Sequence, residues 1–125
     1  MLTKILCSAV AGGAILLALT TQEERGKDLF MRRCSGCHAL DLNKEGPRLR
    51  NVYGRKAASA PGFSYSEALK KLDLRWDEAR LDRWLSDPDS MAPDTDMGFR
   101  LADAEERNAL IAYLKSLDLK NTRSR

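Results

Sequence analysis

Two cysteines and the only histidine of the chain lie within five residues of one another, at Cys34, Cys37 and His38. Two thiols separated by two residues, with an imidazole directly after the second, form the spacing that attaches a c-type heme. Each thiol adds to one vinyl group of the porphyrin, and the short loop passes under the edge of the ring. His38 then lies below the iron, where a ring nitrogen serves as the proximal ligand. The motif predicts one heme c, covalently attached through Cys34 and Cys37, with His38 as a metal ligand.

Other uses of this cysteine pair agree less well with the sequence. A thioredoxin-like redox pair follows a strand in a βαβ unit, whereas Cys34 and Cys37 follow a helical stretch. A structural zinc site needs four ligands, and the whole chain has three Cys and one His. A disulfide between Cys34 and Cys37 would strain a very short loop. The single histidine also excludes a bis-His heme and catalysis by a pair of histidines.

Length and composition limit the chain to one domain. The 125 residues carry 31% charged side chains of both signs and a net charge of +3. A core of about 100 residues is modest, and a covalently held heme would add a large apolar body to it. No basic block or basic patch with interleaved aromatic residues occurs, so nucleic acid is not an expected partner.

The first 21 residues are predicted to form a leader. Lys4 is the only charge before Glu23, and residues 5–19 are 15 residues without a charge. A short basic start followed by an apolar run is typical of a secretory signal peptide, and this run is shorter than the roughly 20 apolar residues that span a bilayer. Ala18 and Thr20 are small residues at the deciding positions of a cleavage site, but Thr is a poor final residue. Residues 1–21 are therefore predicted to be a signal peptide or an N-terminal membrane anchor, with Cys7 a small apolar residue of that leader.

Residues 22–120 form the predicted domain; it shows no strand pattern, and helical periodicity is absent from residues 39–62. A first helix is predicted at residues 23–33 and a long loop, with several Gly and Pro residues, at 39–62. The capping-box spacing of Ser64 and Glu67 predicts a short helix that reaches residue 72.

Two further helices are predicted towards the C-terminus. One follows Trp76, buries a stripe of apolar residues and ends at Pro88; the stripe consists of Leu81, Trp84 and Leu85. Residues 86–97 are a predicted loop. The capping pair of Asp103 and Glu106 begins the last helix, and residues 121–125 are a predicted disordered tail.

The sixth iron position is open to Met, Lys, water or no ligand at all. Met1 belongs to the leader, and Met31 lies on the attachment helix, from which it cannot easily reach the opposite face of the ring. Met91 and Met97 both flank Pro93 in the irregular loop, where either can present a thioether from the far side. Spacing alone does not separate these two.

Several ordered motifs resemble the mitochondrial-type (class I) cytochrome c family. The resemblance covers nearly all of residues 26–117 and follows, in order, G-K-D-L-F at 26–30, G-P-x-L at 46–49, Y-G-R-K at 53–56, A-P-G-F-S-Y at 60–65, W at 76, L-x-x-P at 85–88 and I-A-Y-L-K at 111–115. It implies an all-α, small class I cytochrome c fold, in which helices and long loops wrap around one covalently bound heme.

The resemblance also implies a ligand set. The family's P-x-T-x-M run matches residues 93–97, so Met97 is the implied distal ligand and Met91 a loop residue. The Pro47 carbonyl is implied to accept a proton from the other nitrogen of His38, which orients the ring. Three further residues match positions that hold a buried heme propionate: Arg55, Tyr65 and Trp76. Without a propionate they would be a solvated charge and two core aromatic residues.

Three departures from the family pattern matter for the function. Leu69 stands where mitochondrial members usually carry an Asn, so one polar contact to the propionate is expected to be missing. Trp84 replaces the usual Tyr beside the Met sulfur, and its indole can donate a hydrogen bond but not accept one. The loop around Met97 carries four acids and no base, whereas mitochondrial members carry Lys there; residues 44–56 carry five bases and one acid, a charge of 5 − 1 = +4.

The function implied by the resemblance is one-electron transfer by an exported bacterial member of the family, not enzymatic catalysis. The implied partners are a quinol-oxidising complex or dehydrogenase as donor and an oxidase or reductase as acceptor. The implied location is the periplasm, either as a soluble monomer or tethered to the inner membrane by an uncleaved leader. Two alternatives remain: a heme enzyme or gas sensor with an open sixth position, and a fixed electron-entry subunit of one oxidoreductase.

Overall fold

The computed structural model describes residues 10–123, with side chains described at 17, 21–120 and 123. Within this range the helices are α1 (Val10–Leu29), α2 (Glu67–Lys70), α3 (Glu78–Ser86), α4 (Pro88–Met91) and α5 (Ala104–Arg123), and a π-helical segment, Phe30–Cys34, follows α1 directly. The β pairing in the described residues is limited to one isolated antiparallel bridge between Lys56 and Arg75. The fold is all-α, as predicted.

The crossing of α1 and α5 supports the segment that carries the cysteine pair. A Cβ built at Gly26 would overlap the Ala109 carbonyl and the Tyr113 side chain, so the glycine allows the two helices to approach closely. Phe30 and Tyr113 continue this contact, with ring centroids 5.8 Å apart. The π-helical segment that follows closes with a hydrogen bond of 2.9 Å from the Ser35 N–H to the Phe30 carbonyl. The chain therefore leaves α1 as a wide turn that ends at Cys34.

The apolar stripe of α3 is confirmed. The Asp77 side chain caps the helix by accepting a hydrogen bond of 2.8 Å from the Arg80 N–H. Leu81, Trp84 and Leu85 are all buried. They pack with residues of α5 in one core, so the face predicted from periodicity is the face that α3 presents to the rest of the domain.

The structure differs from the predicted elements at four places. Ser66, not Ser64, caps α2: its hydroxyl accepts a hydrogen bond of 3.2 Å from the Leu69 N–H, and the helix ends at Lys70. The predicted loop at 86–97 contains α4, because a proline suits the first position of a helix as well as it ends the preceding one. Helix α1 begins at Val10, upstream of the predicted start of the first helix at residue 23. Asp103 does cap α5, but α5 continues to Arg123, into the predicted tail.

The leader prediction is only partly covered by the described residues. Residues 1–9 lie outside them, and the predicted boundary at residue 21 falls inside α1. Among the described residues, no helix is both long and apolar enough to cross a membrane.

The long loop at residues 39–62 is confirmed, and backbone hydrogen bonds hold it in place. The Leu49 N–H donates to the Ala39 carbonyl at 3.0 Å, and the Trp76 N–H donates to the Arg55 carbonyl at 2.9 Å. The loop therefore folds back on itself near the cysteine pair and is attached at its far end to the strand-like stretch before α3.

Candidate heme site

All nine predicted site residues line one cavity of about 330 Å³, a size typical of cofactor pockets. The loop at 39–62, the attachment segment and the loop around Met97 all contribute residues to its lining. The predicted members of the lining are Cys34, Cys37, His38, Pro47, Arg55, Tyr65, Trp76, Trp84 and Met97. Chain segments far apart in sequence thus place the candidate residues around a common space.

The two thiols are free and differ in their surroundings. Cys34 is partly buried and Cys37 is exposed, and neither forms a disulfide. Burial raises the pKa of the Cys34 thiol to about 11, an effect that the charge of Arg33 opposes and Cys37 reinforces. A thiol with this pKa stays protonated at neutral pH, which argues against a reactive redox pair.

His38 is oriented by the loop that follows it. Its Nδ1 lies 2.8 Å from the Pro47 carbonyl oxygen. Because a carbonyl can only accept, Nδ1 carries the proton and donates it, which leaves Nε2 with a free lone pair. Burial lowers the pKa of His38, and the hydrogen bond to Pro47 opposes this effect. The neutral ring is the form that a metal ligand requires.

Gly46 makes this arrangement possible and was not among the predicted site residues. A Cβ at this position would overlap the His38 ring, so only glycine lets the loop pass close to the imidazole. The signal in the sequence was the Gly46-Pro47 pair, which marks a turn but does not say which side chain the turn must clear.

Met97, not Met91, reaches the cavity. Met97 is half-buried in the lining, and its Sδ accepts a hydrogen bond of 3.2 Å from Trp84 Nε1. Met91 packs on the apolar core and is not part of the lining. Met31 is 58% exposed. Of these three thioethers, only that of Met97 is available to a group bound in the cavity.

Arg55 brings an unpaired buried donor to the cavity. Its two terminal nitrogens donate to the Arg48 carbonyl at 3.1 Å, but its Nε is buried without a hydrogen-bond partner. Burial is also the main reason that the pKa of Arg55 is lowered. A buried donor of this kind is costly unless an acceptor is supplied, and a carboxylate is the acceptor that a guanidinium prefers.

Tyr65 and Leu69 complete this side of the cavity. The Tyr65 oxygen accepts a hydrogen bond of 3.0 Å from the Ala60 N–H, which leaves the phenolic proton free to be donated. Leu69 lines the cavity with an apolar side chain. The polar groups here are donors, as an acidic ligand requires.

Ion pairs compensate part of the charge that the sequence places around the site. Most of the bases at 44–56 are engaged: Arg50 pairs with Asp41 at 2.5 Å, Lys56 lies 3.9 Å from Asp73, and Arg55 points inward. In the loop around Met97, Asp87 pairs with Arg100 at 2.9 Å. The other three acids of that loop, Asp89, Asp94 and Asp96, form no ion pair within the described residues. The acidic charge of the loop around Met97 is therefore less compensated by ion pairs than the basic charge of residues 44–56.

These observations fit a heme. The cavity lining has two free thiols, an oriented neutral imidazole, a thioether from a separate loop, and an unpaired guanidinium donor suited to a carboxylate. Together with the all-α fold, they define a domain that holds a c-type heme.

Comparisons with known proteins agree with the assignment of a heme-binding domain. The family model described as Cytochrome c matches residues 23–118. The chain is 41% identical over 96 residues to a cytochrome c of Gibberella zeae, covering 74% of this chain and 91% of that protein. It is 40% identical over 94 residues to a cytochrome c2 of Rhodomicrobium vannielii, covering 72% and 74%. The solved structure of cytochrome cH from Methylobacterium extorquens superimposes with a TM-score of 0.71 at 41% identity, covering 75% of this chain and 97% of that one. The chain belongs to the cytochrome c family: it is an electron carrier that binds heme c covalently through cysteine.

Proposed function

We propose that this protein is a single-heme carrier in a respiratory or related electron-transfer chain, and that His38 and Met97 are its two axial ligands. The observation that carries the proposal is that both side chains line one cavity and that each is held by a separate hydrogen bond, from His38 to Pro47 and from Trp84 to Met97. When bound, the heme supplies reversible one-electron chemistry at its iron.

The residues around the cavity each have a definite part in this function. His38 offers Nε2, and the Pro47 carbonyl keeps that ring in one tautomer and orientation. Met97 offers a thioether from the opposite loop. Arg55, Tyr65 and Trp76 are the proposed partners of the propionate, since Arg55 Nε has no other partner. Apolar side chains such as Leu81 and Leu114 exclude water from the remaining lining. With both axial positions taken, no site is left for a substrate.

The ligand assignment is tested by the absorption spectrum of the ferric protein. The wild type should be low-spin and show the weak far-red band of a sulfur-to-iron bond. Met97→Ala should abolish this band, whereas Met91→Ala, which removes a thioether that does not reach the cavity, should retain it. A high-spin wild-type spectrum would instead indicate a heme enzyme or sensor with an open sixth position.

The proposed location is the periplasm, and the proposed donors and acceptors are a quinol-oxidising complex or dehydrogenase and an oxidase or reductase. The support for export is the pattern of residues 1–21, a basic start followed by an apolar run. The mass and N-terminal sequence of the mature protein test this. A start near residue 22 with the added mass of heme indicates cleavage, and an intact leader on a membrane-associated protein indicates an anchor.

The proposed docking face lies beside Met97. Asp89, Asp94 and Asp96 give it uncompensated negative charge, and electron carriers meet their partners through small, weak and electrostatically steered interfaces. We therefore expect a partner whose docking face is not simply acidic.

A further inference from the structure

Arg33 lies over the ring of Phe99, with its guanidinium carbon 5.4 Å from the ring centroid. This is within the distance at which a cation is attracted to an aromatic face. Arg33 belongs to the π-helical segment that ends at Cys34, and Phe99 is the second residue after Met97. Both line the cavity. The pair therefore connects the attachment segment to the loop that presents the distal thioether.

The other polar contacts of the loop around Met97 are made with α3 and with the start of α4. Met97 is bonded to Trp84 of α3, and Arg100 is paired with Asp87 at the start of α4. The Leu101 N–H donates to the Leu85 carbonyl at 2.8 Å. Among the hydrogen bonds, ion pairs and ring contacts of the described residues, only Arg33–Phe99 joins residues 97–99 to the attachment segment.

The partners of Arg33 are few, which makes the contact specific. Arg33 forms no ion pair or hydrogen bond within the described residues, although its neighbour Arg32 pairs with Asp28 at 2.7 Å. Phe99 is half-buried and packs on the core, and the guanidinium of Arg33 lies over its ring.

We propose that Arg33 is a positioning residue that holds the Met97–Phe99 segment closed over the edge of the cavity through the ring of Phe99. This inference rests on the proposed ligation by Met97. We call this Arg33–Phe99 contact the clamp. When the clamp is weakened, the loop around Met97 opens more often, and an external ligand gains access to the position that the Met97 thioether occupies.

Imidazole binding to the purified ferric holoprotein tests the clamp. Arg33→Gln keeps the length of the side chain and removes its charge. A contact of this kind at an exposed site is worth about 0.5–1 kcal/mol, so the apparent dissociation constant for imidazole should fall about two- to fivefold. Arg32→Gln makes the same change of charge at the neighbouring exposed position and should bind imidazole as the wild type does.

A double-mutant cycle separates the clamp from a general effect. Phe99→Leu keeps apolar bulk and removes the ring face, and adding Arg33→Gln to it should change imidazole binding no further. The free energy of urea unfolding of Arg33→Gln should fall by no more than the worth of this one contact, about 0.5–1 kcal/mol. A larger fall would show that the change disturbs the fold beyond the Arg33–Phe99 pair, and would overturn the pair as the cause of altered imidazole binding.

Each outcome decides something different. Wild-type-like imidazole binding by Arg33→Gln, or a full effect of this change in the Phe99→Leu background, would overturn the clamp alone. A wild-type ferric spectrum without the sulfur-to-iron band would overturn the ligation by Met97 and the clamp with it.

Discussion

Trp84 donates a hydrogen bond of 3.2 Å from its indole nitrogen to the sulfur of Met97. The indole is buried, and its ring lies against that of Trp76 with centroids 5.4 Å apart, so its direction is set by packing. A donor draws electron density from the thioether and makes it a weaker ligand to the more positive oxidation state. Since the indole nitrogen can donate a hydrogen bond but not accept one, Trp84 is the donor to the Met97 sulfur in both oxidation states of the iron.

Trp84→Phe should therefore lower the reduction potential. A net hydrogen-bond free energy of about 0.5–1.5 kcal/mol corresponds to about 20–60 mV for one electron. Potentiometric titration of the two proteins measures the change. Trp84→Tyr restores a donor and should recover part of the loss, whereas equal potentials for all three proteins would show that the bond has no effect on the iron.

Gly46→Ala should destabilise the domain, because the added methyl group overlaps the His38 ring. Overpacking of this kind costs about 1–3 kcal/mol in the free energy of unfolding, and urea unfolding followed by the heme absorption measures it. Gly36→Ala is a matched control in the same region, since a Cβ there has no neighbour within 4 Å. Equal losses in the two variants would contradict the close approach at Gly46.

The pair of Asp41 and Arg50 should respond to acid. The hydrogen bond from Arg50 is the main cause that lowers the pKa of Asp41 below its ordinary value of 3.8. The contribution of the pair to stability is thus complete above pH 3.8 and is lost as the pH falls through the lower folded-state pKa. In Arg50→Gln an NMR titration should find the pKa of Asp41 close to its ordinary value. Glu67, whose pKa is lowered by Lys70 instead, should titrate unchanged and serves as the internal control.

The acids near Met97 should control the salt dependence of electron transfer. With an oxidase that has an acidic docking face, the second-order rate constant should be low at low salt and rise as salt screens the repulsion. The triple change of Asp89, Asp94 and Asp96 to Asn should raise this rate constant at low salt, and the two proteins should converge at high salt. Asp73→Asn, at an exposed acid outside this loop, should have little effect. If the wild type already matches a lysine-ringed cytochrome at low salt, the predicted docking face is wrong.

Features that depend on neighbouring residues were predictable. The heme-attachment motif of Cys34, Cys37 and His38 lies within five consecutive residues, and the buried stripe of α3 follows from helical periodicity. Asp103 as a cap is equally local. The sequence predicts Ser64 as the cap of α2, which is wrong, because Ser64 and Ser66 both precede the helix at plausible spacing. The extended backbone at Ser66, directly before Glu67, identifies Ser66 as the cap.

By itself, the sequence determined the attachment motif, the helical class and, through its ordered motifs, the family, because these are carried by residue types at short fixed spacings. Tertiary structure decided which side chains meet. It brought Gly46 against His38 and paired Arg50 with Asp41. It also laid Arg33 over Phe99, 66 positions further along the chain. Such contacts depend on how loops cross in space, and this is set by packing around the whole cavity, which no local pattern encodes.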